Sequence, residues 1–299
     1  MKKIVSPKIK KTTYRARHRA FFRLQQILGL ANIPPQTIFI HIPKTAGTSI
    51  REYFASFIGN RHGSRYFSFD AYFSPAKNGA AYEVIGPQEI QSARKALFAC
   101  GHIDWQIIES IHRPHAFVFT ILRDPVERLL SHYHFLHRLD ESALPELKQR
   151  EFFRRIKSLT FDEFCTSDDP DLLFTTNNIM VRQMAGCLDG TAAPDTPFQE
   201  LLVRALENLK TLDYIGFQQT LDADFHALTR KGGFPQLPLP KENITKTLAN
   251  SSGSSYNASA NKQDILARAA ARIKWDMDFY QKALALAETI NSKPYKNKG

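Results

Sequence analysis

A chain of 299 residues, 43% hydrophobic and 11% aromatic, can bury a substantial core as one large α/β domain or two small ones. Its net charge of +11 is concentrated at the ends: residues 1–23 hold nine Lys and Arg and no acidic residue, and the tail adds Lys293, Lys296 and Lys298. Residues 24–292 then stand at −1, which points away from a nucleic-acid-binding body. Three cysteines (Cys100, Cys165, Cys187) without a CxxC pair suggest neither a disulfide framework nor a zinc site, and no apolar run reaches the length of a transmembrane span.

Residues 1–35 form a basic arm. Within it, residues 20–30 carry apolar positions at helical spacing, which predicts an amphipathic helix docked on the body or on lipid. The basic charge reads either as a solvated terminus or as a contact for an anionic membrane surface or polymer. Without a continuous hydrophobic leader, and with few cysteines, the expected location is the cytoplasm, or the inner face of its membrane.

Residues 37–42 are short, β-branched and apolar between Pro35 and Pro43, and predict a buried strand. Ile50, Tyr53, Phe54, Phe57 and Ile58 then recur at helical spacing. Residues 60–78 mix aromatic, glycine and basic residues without a period and predict a long loop. A helix is expected over 87–98, a strand-like segment in "LFACGHIDW", and a second buried strand over 116–122. Asp124-Pro125 supplies a helix N-cap and first helical residue, and Thr160-Phe-Asp-Glu163 has capping-box spacing. Residues 171–185 and 197–211 predict helices, 213–217 a short strand, 232–262 a long loop and 262–290 a terminal helix. Strands alternating with helices predict one α/β domain over 36–290, with a central parallel sheet flanked by helices and a basic tail at 291–299.

Two motifs carry chemistry. In "HIPKTAGTS" a strand runs into Lys44-Thr45-Ala46-Gly47-Thr48-Ser49 and then into a helix. Unpaired amides and the helix dipole at such a junction favour an anion, Gly47 allows close approach, and Lys44 adds a mobile positive charge. A magnesium-nucleotide Walker loop places its lysine after the second glycine; here Lys44 precedes Gly47. In "RDPVERLLSHYHF" a strand ends at Arg123 and Ser131 lies two turns along the next helix, a pair able to grip a second phosphate. His132, His134 and His137 on that helix read as surface residues, because i and i+2 point to different faces. His41 reads as a structural residue inside the first strand.

Together these segments resemble the 5′-phosphosulfate loop and the 3′-phosphate motif of sulfotransferases that use 3′-phosphoadenosine 5′-phosphosulfate (PAPS). They are most similar to the carbohydrate enzymes grouped with heparan and uronyl 2-O-sulfotransferases. Weaker resemblance continues through "NNIMVRQMAG", "LDYIGFQQTLDADFHAL" and "WDMDFYQKAL". Gln219 stands where relatives often place glutamate. The resemblance implies a P-loop-like three-layer fold and transfer of a sulfuryl group to an acceptor hydroxyl, releasing 3′-phosphoadenosine 5′-phosphate (PAP) without a metal. It implies that Lys44 contacts the bridging oxygen, that residues 44–49 hold the 5′-phosphate, and that Arg123 and Ser131 hold the 3′-phosphate. "CGHID" resembles the family segment in which a histidine is the base, which makes His102 the candidate; Cys100 stands where the 2-O relatives carry a second histidine. Lys246, in the long loop, is a candidate for the donor phosphates. Arg61, His62, Arg65, His112 and Arg113 could bind an anionic acceptor, a carbohydrate or glycolipid; the alternative for them is solvated loop. Two other readings stay open: a nucleotide-dependent kinase, and a non-catalytic protein that binds polyanions or membrane surfaces.

Overall fold

A computed structural model describes residues 33–59, 65–69, 85–138, 147–188, 196–240 and 262–295, with residues 16, 18–20, 22 and 24 of the arm. The strands are β1 (Gln36–Ile40), β2 (Tyr66–Phe69), β3 (Phe98–Gly101), β4 (Ala116–Leu122) and β5 (Tyr214–Phe217). The helices are α1 (Gly47–Phe57), α2 (Pro87–Lys95), α3 (Trp105–Ile111), α4 (Pro125–Arg138), α5 (Leu147–Lys157), α6 (Phe161–Thr166), α7 (Pro170–Thr176), α8 (Ile179–Ala185), α9 (Phe198–Lys210), α10 (Leu221–Lys231) and α11 (Lys262–Ser292).

Among the described residues five strands form one sheet in the order β2-β3-β1-β4-β5, parallel at every pairing. Alternation along the buried strands divides the core. Ile38, Ile40, Val118 and Leu122 join one apolar cluster with residues of α8, α9 and α11, while Phe39, Phe117, Phe119 and Ile121 join another with residues of α1 and α10. Burial on both faces is why β1 and β4 read as continuous apolar runs. The expected three-layer α/β fold is the one observed.

The helix starts follow their sequence signals. Asp124 Oδ1 accepts the backbone N–H groups of Val126 and Glu127 at 3.1 and 3.2 Å, and Thr160 and Glu163 close the expected capping box. Three departures have tertiary causes. Strand β2 lies inside the segment expected to be loop, its four residues paired in register with β3 from Tyr66↔Phe98 to Phe69↔Gly101. The helix expected over 171–185 breaks into α7 and α8 at Asn178, which takes a left-handed φ of 45°. His132, expected at the surface, is fully buried.

The break at Asn178 is held from a distance. Its side-chain oxygen accepts the N–H groups of Trp275 and Asp276 at 2.9 and 3.0 Å, and the Asp276 carboxylate accepts those of Met180 and Val181 at 3.3 and 3.0 Å. Burial pushes the Asp276 carboxyl up to about 6, although the Arg128 guanidinium opposes the shift. Asp276→Ala would leave two buried amides at the start of α8 unsatisfied, so a loss of about 1–3 kcal/mol is expected, read as a lower urea midpoint at unchanged slope.

Part of the arm packs on the body. Phe22 is buried with its ring 4.8 Å from that of Phe57, and His18 Nδ1 lies 3.1 Å from Ser56 Oγ, whereas Leu24 is exposed. No described helix is long and apolar enough to cross a membrane.

Candidate active site

Parallel strands bring the segments after β1, β3 and β4 to one edge of the sheet, the edge at which open α/β sheets bind ligands. The segment after β1 is the phosphate-type loop. Lys44 and Ala46 adopt left-handed φ angles of 71° and 66°, a conformation unfavourable for side-chain-bearing residues and concentrated at functional loops. Ala46 is the N-cap of α1, no side chain caps it, and no acidic residue occupies the first turn. Those features suit an anion at the helix start. Thr45 departs from expectation: its hydroxyl is buried and donates to the Ile42 carbonyl at 2.7 Å, so it braces the turn.

Arg123, at the end of β4, reaches this loop. Its Nη1 donates to the Lys44 carbonyl at 3.2 Å, while its Nε lies 3.6 Å from the Glu127 carboxylate. The Lys44 ammonium rests 4.0 Å from the centroid of the Phe135 ring on α4. Burial, with Arg138 and Arg123 adding repulsion, lowers its pKa to about 8. Ser131 is half-buried and precedes Phe135 by four residues, which puts the two on one face of α4.

His102 follows β3. Its Nδ1 lies 2.8 Å from the backbone carbonyl of His41, which can only accept, so Nδ1 carries the proton and, in the neutral ring, the lone pair is on Nε2. The same carbonyl accepts from Gln183 Nε2 at 3.2 Å, and Gln183 also donates to Ile103 at 2.9 Å. Asp104 fixes the segment from the other side, accepting the N–H groups of Ile107 and Leu188 at 3.3 and 3.2 Å. His41 itself stacks on His102 with ring centroids 4.1 Å apart. Burial, with repulsion from His102, Arg51 and Lys44, holds its pKa well below the usual imidazole range. His132 is driven the same way by burial, with Arg128, Lys44 and His102 as further causes.

A model described as "Sulfotransferase family" matches residues 34–281. The chain belongs to the sulfotransferase family. Among curated proteins none matches it. Membership supports an enzyme that transfers sulfuryl groups to hydroxyl-bearing acceptors. It also covers the loop, Arg123, His102 and Gln183 within one matched region.

In this sulfotransferase the three described residues among those expected to hold the acceptor are not gathered at that edge. Arg113 lies at the opposite end of the strands: its backbone N–H donates to the Gln36 side chain at the start of β1, and its guanidinium donates to the carbonyls of Pro35 and Ala96. His112 precedes it at the end of α3, and Arg65 immediately precedes β2, at the same far edge. Strand direction puts all three at the end of the sheet opposite the α1 loop and His102. Arg61, His62 and Lys246 lie outside the described residues. Two residues of the site were not signalled by spacing, His41 and Gln183. The only trace of Gln183 was its place in the family-like segment "NNIMVRQMAG".

Cys100, two residues before His102, is buried with its sulfur 3.5 Å from the Tyr66 hydroxyl and 3.7 Å from Ser68 Oγ. It faces the aromatic layer of the core rather than continuing the site. Among the described residues no cluster of His, Cys, Asp and Glu could hold a metal ion.

Proposed function

We propose that this sulfotransferase takes its sulfuryl group from PAPS, passes it to a carbohydrate or glycoconjugate hydroxyl, and releases PAP. The observation that carries the reading is the meeting of three groups at one sheet edge. They are the α1 loop with Lys44, Arg123 bonded to that loop, and His102 with Nε2 unprotonated. The 5′-phosphosulfate would lie at the start of α1, against the amides of 47–49 and the Lys44 ammonium. The 3′-phosphate would meet Arg123 and Ser131.

The acceptor oxygen attacks sulfur as His102 Nε2 takes the hydroxyl proton. The bond between sulfur and the bridging oxygen breaks, and its electron pair leaves with the phosphate of PAP. Lys44 stabilises the charge that develops there, a contribution that grows toward the transition state. Membership of the 2-O group of carbohydrate enzymes rests on the resemblance of "HIPKTAGTS", "RDPVERLLSHYHF" and "CGHID". A cytoplasmic location, and membrane contact through the arm, rest on the sequence alone.

Calorimetric titration with PAP in the absence of magnesium, beside ATP and adenosine 5′-phosphate, tests the donor. Selective binding of PAP is expected. Arg123→Ala should weaken it about 10- to 100-fold, the worth of one or two hydrogen bonds to a charged group. ATP binding that requires magnesium would instead support a kinase.

A further inference from the structure

His41 is not where a structural strand residue should be. It follows β1 directly, is 7% exposed, and its ring joins a column that rises from the core to the reactive edge. Phe119 stacks on Phe39 at 4.8 Å, Phe39 on His41 at 5.3 Å, and His41 on His102 at 4.1 Å, with interplanar angles of 12°, 21° and 29°. The edge of the same ring lies under the phosphate loop: a Cβ added to Gly47 would come within 1.7 Å of His41 Nε2. Gly47 is therefore required by His41 as well as by close approach of a ligand. The imidazole Nδ1 is buried without a hydrogen bond, so the ring serves here as a plate.

We infer that the His41 side chain is a positioning residue, wedged between Gly47 and His102, that sets the orientation of the base and ties it to the donor loop. The inference rests on the reading of His102 as the base. The His41 carbonyl fixes the His102 proton on Nδ1; the His41 ring fixes the plane in which Nε2 points. Because burial and the neighbouring cations keep that ring neutral, it neither competes for the acceptor proton nor repels the imidazolium formed on His102. A neutral π-face beside that imidazolium is favourable.

The test is the nitrogen NMR spectrum of His102 in the ligand-free protein, at a pH where it is neutral, for the wild type, His41→Leu and Gly47→Ala. Wild type should show one tautomer, protonated at Nδ1. His41→Leu keeps the backbone carbonyl but removes the plate, and Gly47→Ala pushes on it through the loop, so the His102 ring turns off that carbonyl and a mixture of tautomers is expected in both. Turnover should fall about 10- to 100-fold in His41→Leu, the cost of misplacing a reacting group by about an ångström. A pure Nδ1–H tautomer in both variants would overturn the inference, as would wild-type turnover in a folded His41→Leu protein. Should His41→Leu not fold, the spectrum of Gly47→Ala decides. Failure of the wild type to bind PAP would sink the donor reading alone, since the tautomer is read without any nucleotide.

Discussion

His102→Ala is expected to bind PAP as the wild type does and to transfer the sulfuryl group about 10²–10⁴-fold more slowly, the range supplied by a positioned general base. The split follows from the geometry. His102 is anchored through Nδ1 to the His41 carbonyl and hangs from the segment after β3, whereas the groups assigned to the donor belong to the loop after β1 and to β4 and α4. Its removal takes away the proton acceptor and leaves the α1 start and Arg123 in place. His102→Asn is the sharper variant, because its amide nitrogen stands where Nδ1 does and can still donate to that carbonyl while it supplies no base. Unchanged turnover in either protein would remove His102 from the mechanism.

What could be read from the sequence divides along the range of the forces involved. β1, β4 and the Asp124-Pro125 cap were legible because each is decided within a few residues: an apolar run between prolines, or a carboxylate placed to accept two amides. The turn at 43–49 between β1 and α1 was legible because the strand before it and the helix after it are each marked locally. β2 was not, since "YFSF" has no strong pattern and is a strand through its pairing with β3. The break at Asn178 was not, since the partners that hold its left-handed backbone are nearly a hundred residues away, at Trp275 and Asp276. Arg113 was placed with the acceptor because sequence does not say which end of a strand a loop lies at; strand direction does. His41 is the most instructive case. Its position in the chain marked it as structural, and only the stacking of two loops from adjacent strands puts its ring against His102.

The second large effect concerns Lys44. Lys44→Ala should lower turnover about 10²–10³-fold, the usual loss when one preorganised charge facing a developing oxyanion is removed. A pH series separates this electrostatic role from simple packing. In the unliganded enzyme the Lys44 pKa stands at about 8, displaced downward by burial and by Arg138 and Arg123. A phosphate bound beside the ammonium favours the charged form and must raise that pKa, so binding takes up a proton wherever Lys44 is neutral beforehand. Affinity for PAP should therefore be flat from pH 7 to about 8 and then weaken by up to about tenfold per pH unit above it, with calorimetry showing proton uptake over the same interval. The phosphates contribute little to this, their second ionisation lying near pH 6. In Lys44→Met the slope should disappear, because no titrating group remains against the 5′-phosphate. The Phe135 contact adds a second handle. A ring face holds an ammonium but not a neutral amine, so Phe135→Leu removes a support of the charged lysine. The bend in the affinity profile should then move to lower pH. A profile in wild type that stays level to pH 9.5 would show that Lys44 does not meet the phosphate as an ammonium released from its ring, and the assignment of the loop would fail with it.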